Sequence, residues 1–408
     1  CVVILSVHEA VMRRQLIELG VPDDRIYKFS ELHKHPEIIM DEQQVYFWGD
    51  DKSFSRIISV DCPDIILLMS HNLDLNGASL ALFYFAQILK NNGFAILFVS
   101  WADGELKKYL SKEGIPTVVD PNLQIKTQKE IMWLQGFHRI VCNTLNYYQF
   151  LSDRNLEDKI IWWVHDHFMF YEGLDQKLLK KIRSDNLTVC AVGEISENSF
   201  KKFLPDFVVK QLVYGIPDVC SSKVPHEKLE FIMIGNIQKY KGQDILINAL
   251  KMLDRKVRAQ IHVRIVGFHP SAYANDVKKM AEGLEDIVSF IPPADREGIY
   301  ALLDEADILV CPSRIDTMSI VTNEGMQRGI PCIVSDAAGV SAYITNGVDG
   351  IITKRGDAKM LAEKIIWCIE HRDQLERIGK AARHLYEKYF SMEVFEGHLL
   401  NIVHEALL

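Results

Sequence analysis

DILVCPSRIDTMSIVTNEGMQRGIPCIVSDAAG, residues 307–339, reads as strand, loop, helix, strand. Residues 308–311 are a short apolar run ended by Pro312, and 331–334 are a second one opened by Pro331. Between them lie helix-spaced apolar positions that include Ile320 and Met326. Two buried strands joined through a helix are a parallel pair, so the loop with Ser313, Arg314, Asp316 and Thr317 falls at the carboxyl end of the sheet. That is where open α/β sheets take their ligands. Asp316 is placed at the start of the helix, and Glu324, eight residues on, about two turns later. A capping Asp with a solvent-facing Glu is the plain alternative to two acids gathered for a ligand. Gly325 costs a helix interior roughly 1 kcal/mol, which points to close approach of another group.

The same alternation extends outward in both directions. Strands are expected at 65–69, 94–99, 115–119, 139–142, 160–164, 187–191 and 207–213, with helices at 78–90, 103–112, 144–151 and 194–203 between them. A polar, Pro-containing stretch, CSSKVPHEK, follows Pro217. After it come strands at 230–234, 261–266, 287–290, 308–311, 331–334 and 349–352. Right-handed crossovers then cover each sheet on both faces, giving two doubly wound α/β domains joined near residue 220. Neither carries the G-x-G-x-x-G turn of dinucleotide enzymes.

Each domain opens on a strand with a small-residue turn. In the first, Asn76, Gly77, Ala78 and Ser79 begin a helix whose amides can meet an anion or a sugar hydroxyl. In the second, Gly235 and Asn236 end the strand, Lys239 and Lys241 bring positive charge before a helix, and Gly242 lets the backbone come close. A phosphate held by Lys241 and helix amides, with carboxylates on a later helix of the same sheet, outlines a site for a nucleoside diphosphate.

Composition bounds the alternatives. A chain of 408 residues, 48% hydrophobic and 25% charged, is long for one core. A net charge of −9 argues against nucleic acid as the partner. No run of 18 apolar residues crosses a bilayer. Eight cysteines without metal-ligand spacing suit a reducing cytoplasm, and His8, His33 and His35 lack the carboxylates of a metal site. No metal and no cofactor is therefore expected.

IGNIQKYKG followed by PSRIDTMSIVTNEGMQRGIPCIVSD resembles the donor-binding half of the retaining GT-B glycosyltransferases of family 4, of the bacterial polysaccharide-biosynthesis type, which read G-R-x(4)-K-G and then E-x(7)-E-A-M-A-x-G-x-P-V. The resemblance covers about residues 65–408 and is most specific in the second domain. It implies a GT-B fold, two Rossmann-like domains facing across a cleft. It also implies transfer of a hexose-type sugar from a nucleoside-diphosphate sugar to a glycan, lipid-linked or protein-linked acceptor. By this resemblance Lys241 serves the donor diphosphate, Glu324 the ribose and Asp316 the sugar hydroxyls. His165, directly after the apolar run 160–164, matches the family's residue near the transferred sugar. Gly77, Gly235, Asn236, Arg314 and Thr317 complete the expected donor site. Asn236 stands where the family has Arg and Asp316 where it has Glu, and the Gly-Gly-x-x-Glu turn is reduced to AAGVSA around Gly339. Arg314 or Lys239 is expected to make up the charge missing at Asn236. The mechanism implied has no protein nucleophile and no metal, because the leaving phosphate accepts the acceptor's proton.

The expected domains are 61–220 for the acceptor, completed by a returning helix at 391–408, and 221–390 for the donor. Residues 1–60 read as a truncated βαβ fragment and linker, a remnant of an upstream module, with the strand VVILSV, a helix at 9–19, the strand IYKF and a polar stretch of little regular structure. In that stretch Tyr46, Phe47 and Trp48 need a packing partner. The implied location is cytoplasmic, with peripheral contact at the inner face of the cell membrane left open. Two rivals remain: a catalytically silent GT-B subunit, which would bind nucleotide sugar or glycan without turnover, and a nucleotide-sugar epimerase, which would release a changed donor. Deleting residues 1–60 is expected to leave a soluble chain that still binds its donor, as measured by calorimetry.

Overall fold

The computed structural model describes residues 64–221, 224 and 226–408, together with the strands Val2–Ile4, Ile26–Lys28 and Tyr46–Trp48. Two sheets with helices form its α/β body. In the first, the strand order runs Val209–Gln211, Leu187–Ala191, Lys159–Val164, Arg139–Asn143, Ile66–Ser70, Ile96–Ser100, Thr117–Val119, Tyr46–Trp48. All neighbours are parallel except the last pair, in which Phe47 sits opposite Val118 in antiparallel register. The stretch expected to carry little regular structure thus supplies an edge strand, and Tyr46–Trp48 joins the first sheet, an outcome that three aromatic residues of high β propensity favour. The Val2–Ile4 and Ile26–Lys28 strands pair in parallel, as the βαβ reading requires. The helix expected between them lies outside the described residues.

The second sheet runs Val288–Ile291, Ile261–Val266, Leu229–Ile234, Ile308–Cys311, Cys332–Ser335, Ile351–Thr353, all parallel. Its strand order reverses between Leu229–Ile234 and Ile308–Cys311, the switch point at which a crevice opens beyond the strand ends. The Ile320–Gln327 helix packs so tightly over this sheet that a Cβ on Gly325 would lie 3.0 Å from Leu309 Cδ1 and 3.2 Å from Cys332 Sγ. The close approach that Gly325 signals is therefore that of the sheet beneath it.

One apolar cluster runs across both sheets, with Leu80 and Tyr84 in the same core as Ile299, Leu303, Met318 and Met326. The domains are accordingly in contact. Thr317 Oγ1 donates to the His165 carbonyl (2.7 Å), Tyr214 Oη to the Met318 carbonyl (2.7 Å), and Tyr109 Oη to Glu297 Oε2 (3.1 Å). Two chain crossings join them. Ile216 N donates to the Phe390 carbonyl, and Tyr386 Oη donates to the Ile216 carbonyl. Arg383 clamps Asp218 with both terminal nitrogens. The Met392–Ala406 helix then lies against the first domain, where Phe395 stacks on Trp163 at 5.8 Å and Leu399, Val403 and Leu407 are buried. No helix among the described residues is long and apolar enough to cross a membrane.

The crossing leaves no room for a side chain at Gly215, whose Cβ would sit 2.4 Å from the Ser391 carbonyl oxygen, whereas Gly397 faces open space on the last helix. In chemical denaturation Gly215→Ala is expected to lose about 2 kcal/mol or more. Gly397→Ala should gain about 0.5–1 kcal/mol, since only helix propensity changes there.

Candidate functional site

A cavity of about 430 Å³ opens between the sheets at their carboxyl ends. Asn76, Gly77, Leu80 and Glu105 wall it on one side; Gly235, Asn236, Tyr240, Lys241, Arg296, Ser313 and Asp316 wall it on the other. Glycine chemistry shapes both rims. Gly235 and Gly242 have φ of 147° and 84°, and a Cβ on Gly242 would meet the Pro312 carbonyl oxygen at 2.4 Å. On the first domain, Asn76 caps the Gly77–Asn91 helix by accepting from Ser79 N (3.0 Å), which presents the first helical turn to the cavity.

Lys241 and Asp316 form the central ion pair, Nζ to Oδ2 at 2.8 Å. Burial by itself would lower the Lys241 pKa, but the Asp316 carboxylate overrides it and raises the ammonium above the ordinary lysine value. Asp316 is not at the start of the helix as expected. It lies in the preceding loop, and Ser319 caps the Ile320–Gln327 helix instead. The loop is pinned by an isolated bridge from Asp316 to Ala338 and by Gly339 N donating to the Asp316 carbonyl (2.8 Å). A Cβ on Gly339 would lie 1.9 Å from the Thr317 carbonyl oxygen, so the one glycine left of the expected turn is required for packing.

Glu324 is buried, 1% exposed. Its Oε1 accepts from Arg296 Nη2, and its Oε2 has no partner. Arg296, rather than Glu324, reaches the cavity wall. The Arg296 guanidinium also donates to Tyr300 Oη (2.8 Å) and lies over the Tyr300 ring, whose other neighbour is the Arg328 guanidinium. Arg314 is not brought to the cavity. It forms a two-pronged pair with Asp244, 2.7 Å and 2.6 Å, and donates to the Lys239 carbonyl. Its charge is spent on closing the loop. Thr317 likewise serves the contact between domains.

His165 lies beside that contact. Its ring sits 4.6 Å from Trp163 and 6.3 Å from Tyr214, its Nε2 is buried without a partner, and burial drives its pKa down to about 3, helped by His71. His71, half-buried, is lowered to about 4 by desolvation. His167, two residues further along, is 7% exposed, with both ring nitrogens unpartnered and its ring 5.9 Å from Tyr240. Burial lowers its pKa, against the pull of Asp316. The imidazoles at this end of the first sheet are thus neutral at pH 7, each offering a hydrogen-bond donor and an acceptor without charge.

Family models match both halves of the chain: "Glycosyl-transferase family 4" over residues 64–189 and "Glycosyl transferases group 1" over residues 220–385, together more than two thirds of it. The chain belongs to the family 4 GT-B glycosyltransferases. Curated relatives include D-inositol 3-phosphate glycosyltransferases of Streptomyces griseus, 28% identical over 168 residues, and of Kribbella flavida, 25% identical over 169 residues. Those matches span 39% of this chain in both cases, and 35% and 39% of the respective relatives. The fold extends further. A structure of HepE from Anabaena in complex with UDP and glucose superimposes with a TM-score of 0.72 at 20% identity, over 83% of this chain and 99% of that one. The sucrose-phosphate synthase of Thermosynechococcus elongatus does so with a TM-score of 0.69 at 15% identity, over 84% and 98%. The two-domain GT-B architecture follows from these likenesses and from the two sheets.

Arg296 and Tyr240 were missed in the sequence. One signal for Arg296 was present. It occupies the first turn of the Arg296–Asp304 helix, directly after the Asp295 cap, where the helix dipole disfavours a cation.

The buried histidines set a pH dependence. A histidine held at about 3 or 4 in the folded chain takes up its proton only in the unfolded chain as pH falls below about 6.5, so stability declines by about 1.4 kcal/mol per pH unit per group. The loss runs from pH 6.5 down to those folded values. Buried Asp166, raised to about 6 by desolvation, opposes part of it, because the folded chain binds that proton first. Between pH 7 and pH 5, His165→Gln is therefore expected to lose roughly 2 kcal/mol less than the parent in urea denaturation.

Proposed function

We propose that this chain is a retaining, metal-independent glycosyltransferase that moves a hexose-type sugar from a nucleoside-diphosphate sugar to a glycan, lipid-linked or protein-linked acceptor. The observation that carries the reading is the Lys241–Asp316 pair at the rim of a cavity enclosed by both domains. A diphosphate leaving group gains negative charge as the sugar departs, and a preformed ammonium in a water-poor cleft stabilises that charge more than it stabilises the bound donor. Asp316, once its lysine turns to the phosphate, is free to accept from a sugar hydroxyl. The neutral histidines beyond it, His165 and His167, offer uncharged partners to the transferred sugar and the incoming hydroxyl. In this reading the acceptor's proton passes to the leaving phosphate itself. Likeness to HepE, solved with UDP and with UDP-glucose, makes UDP-glucose the first donor to try.

The test is calorimetry with UDP and UDP-glucose, followed by turnover with the product's anomeric configuration read by NMR and with a chelator present. Retention of configuration and indifference to the chelator are expected. Lys241→Ala should lower turnover by about 100-fold while weakening UDP by only about ten-fold. An unchanged kcat beside weakened UDP binding would mean that Lys241 contributes only ground-state binding.

A further inference from the structure

The cations in the cavity wall, Lys241 and Arg296, are both already paired in the donor-free protein, and their partners are the two acids eight residues apart. Lys241 is held by Asp316, and Arg296 by Glu324. A nucleoside diphosphate brings several negative charges into this cavity, yet Arg314 is committed to Asp244 and the glycine-rich turn carries the uncharged Asn236. Lys239, the other expected source, is exposed and is not among the wall residues, so the second cation that the wall itself holds is Arg296. Arg296 has the required placement: it lines the cavity, while behind it Glu324 keeps an Oε2 buried and unpartnered.

We propose that Arg296 is a diphosphate-binding residue released by the nucleoside: the ribose hydroxyls take over the Glu324 carboxylate, and the freed guanidinium turns to the diphosphate. This rests on the nucleotide-sugar reading above. The exchange keeps every buried charge hydrogen-bonded. Glu324 trades a guanidinium for two hydroxyl donors, and Arg296 trades one carboxylate for phosphate oxygens, a geometry its planar fork suits. Tyr300 keeps the guanidinium's swing short, because Arg296 stacks on that ring (4.7 Å) and donates to its hydroxyl. Tyr84, on the Gly77–Asn91 helix of the other domain, faces the same group and senses the charges of both Arg296 and Glu324.

The readout is the ratio of UDP affinity to uridine affinity by calorimetry, with GDP and guanosine used instead if the parent binds that base. Uridine lacks the diphosphate, so Arg296→Gln should cut UDP binding by about ten-fold or more and leave uridine within about two-fold. Since Arg296→Gln leaves a buried carboxylate unpaired, the same ratio is measured in Arg296→Gln/Glu324→Gln against Glu324→Gln, from which that charge is gone. A ratio that falls by about ten-fold in the Glu324→Gln background supports the assignment, and that comparison decides where the two differ. An unchanged ratio in a folded variant overturns it, including the case in which UDP and uridine weaken together. A parent that binds no nucleotide at all would instead count against the donor reading.

Discussion

The Lys241–Asp316 pair is the contact on which the rest of the cleft depends. It joins two loops whose paired residues lie 75 positions apart in the chain, the glycine turn after Leu229–Ile234 and the loop after Ile308–Cys311, at the point where the strand order reverses. Asp316 is 8% exposed, so without the ammonium its charge would be stranded. The backbone is fitted around this pair with little slack: Gly242 against Pro312 on one side, and Gly339 against Thr317 on the other. Held this way, Thr317 and Met318 meet His165 and Tyr214, and the two domains close on a common surface.

A second charge pair governs the deeper part of the cavity by a different balance. Arg296 and Glu324 are both nearly inaccessible, and burial by itself would lower the arginine pKa, but the carboxylate raises it instead. Such a pair gains little net stability, because desolvation cancels much of its attraction. Its value lies in being exchangeable: hydroxyls and phosphates can replace each partner without leaving a buried charge alone. Each pair is thus neutral before the donor enters, and Glu105 adds an acid on the opposite wall. The local arrangement of charges matters here far more than the chain's total of −9.

Much of this was legible along the chain. Apolar runs bounded by Gly and Pro located the strands of both sheets to within a few residues, because a buried parallel strand must be apolar on both faces. The returning helix was legible for the same kind of reason, through the spacing of Phe395, Leu399 and Val403. Lys241 and Asp316 could be singled out because small-residue turns at strand ends bring backbone and charge together in any doubly wound sheet. The edge strand Tyr46–Trp48 was not legible, since its partner Thr117–Val119 lies some seventy residues away and no local pattern announces the pairing.

Sequence by itself determined the alternation of strand and helix, the division into two sheets and the turns that face the cleft, because these follow from periodicity and from the backbone demands of Gly and Pro. Tertiary structure alone decided which charges are spent and which are available. Arg314 and Arg296 carry the same side chain, yet Asp244 holds one away from the cavity and Glu324 holds the other at its wall. His165 and His167 stand two residues apart on one short stretch, yet one ring packs between Trp163 and Tyr214 while the other meets Tyr240 across the cleft. The physical reason is range: strand and turn formation are settled by neighbours in the chain, whereas the state of a charge or an imidazole depends on burial and on partners that only the closing of the fold brings within hydrogen-bond distance.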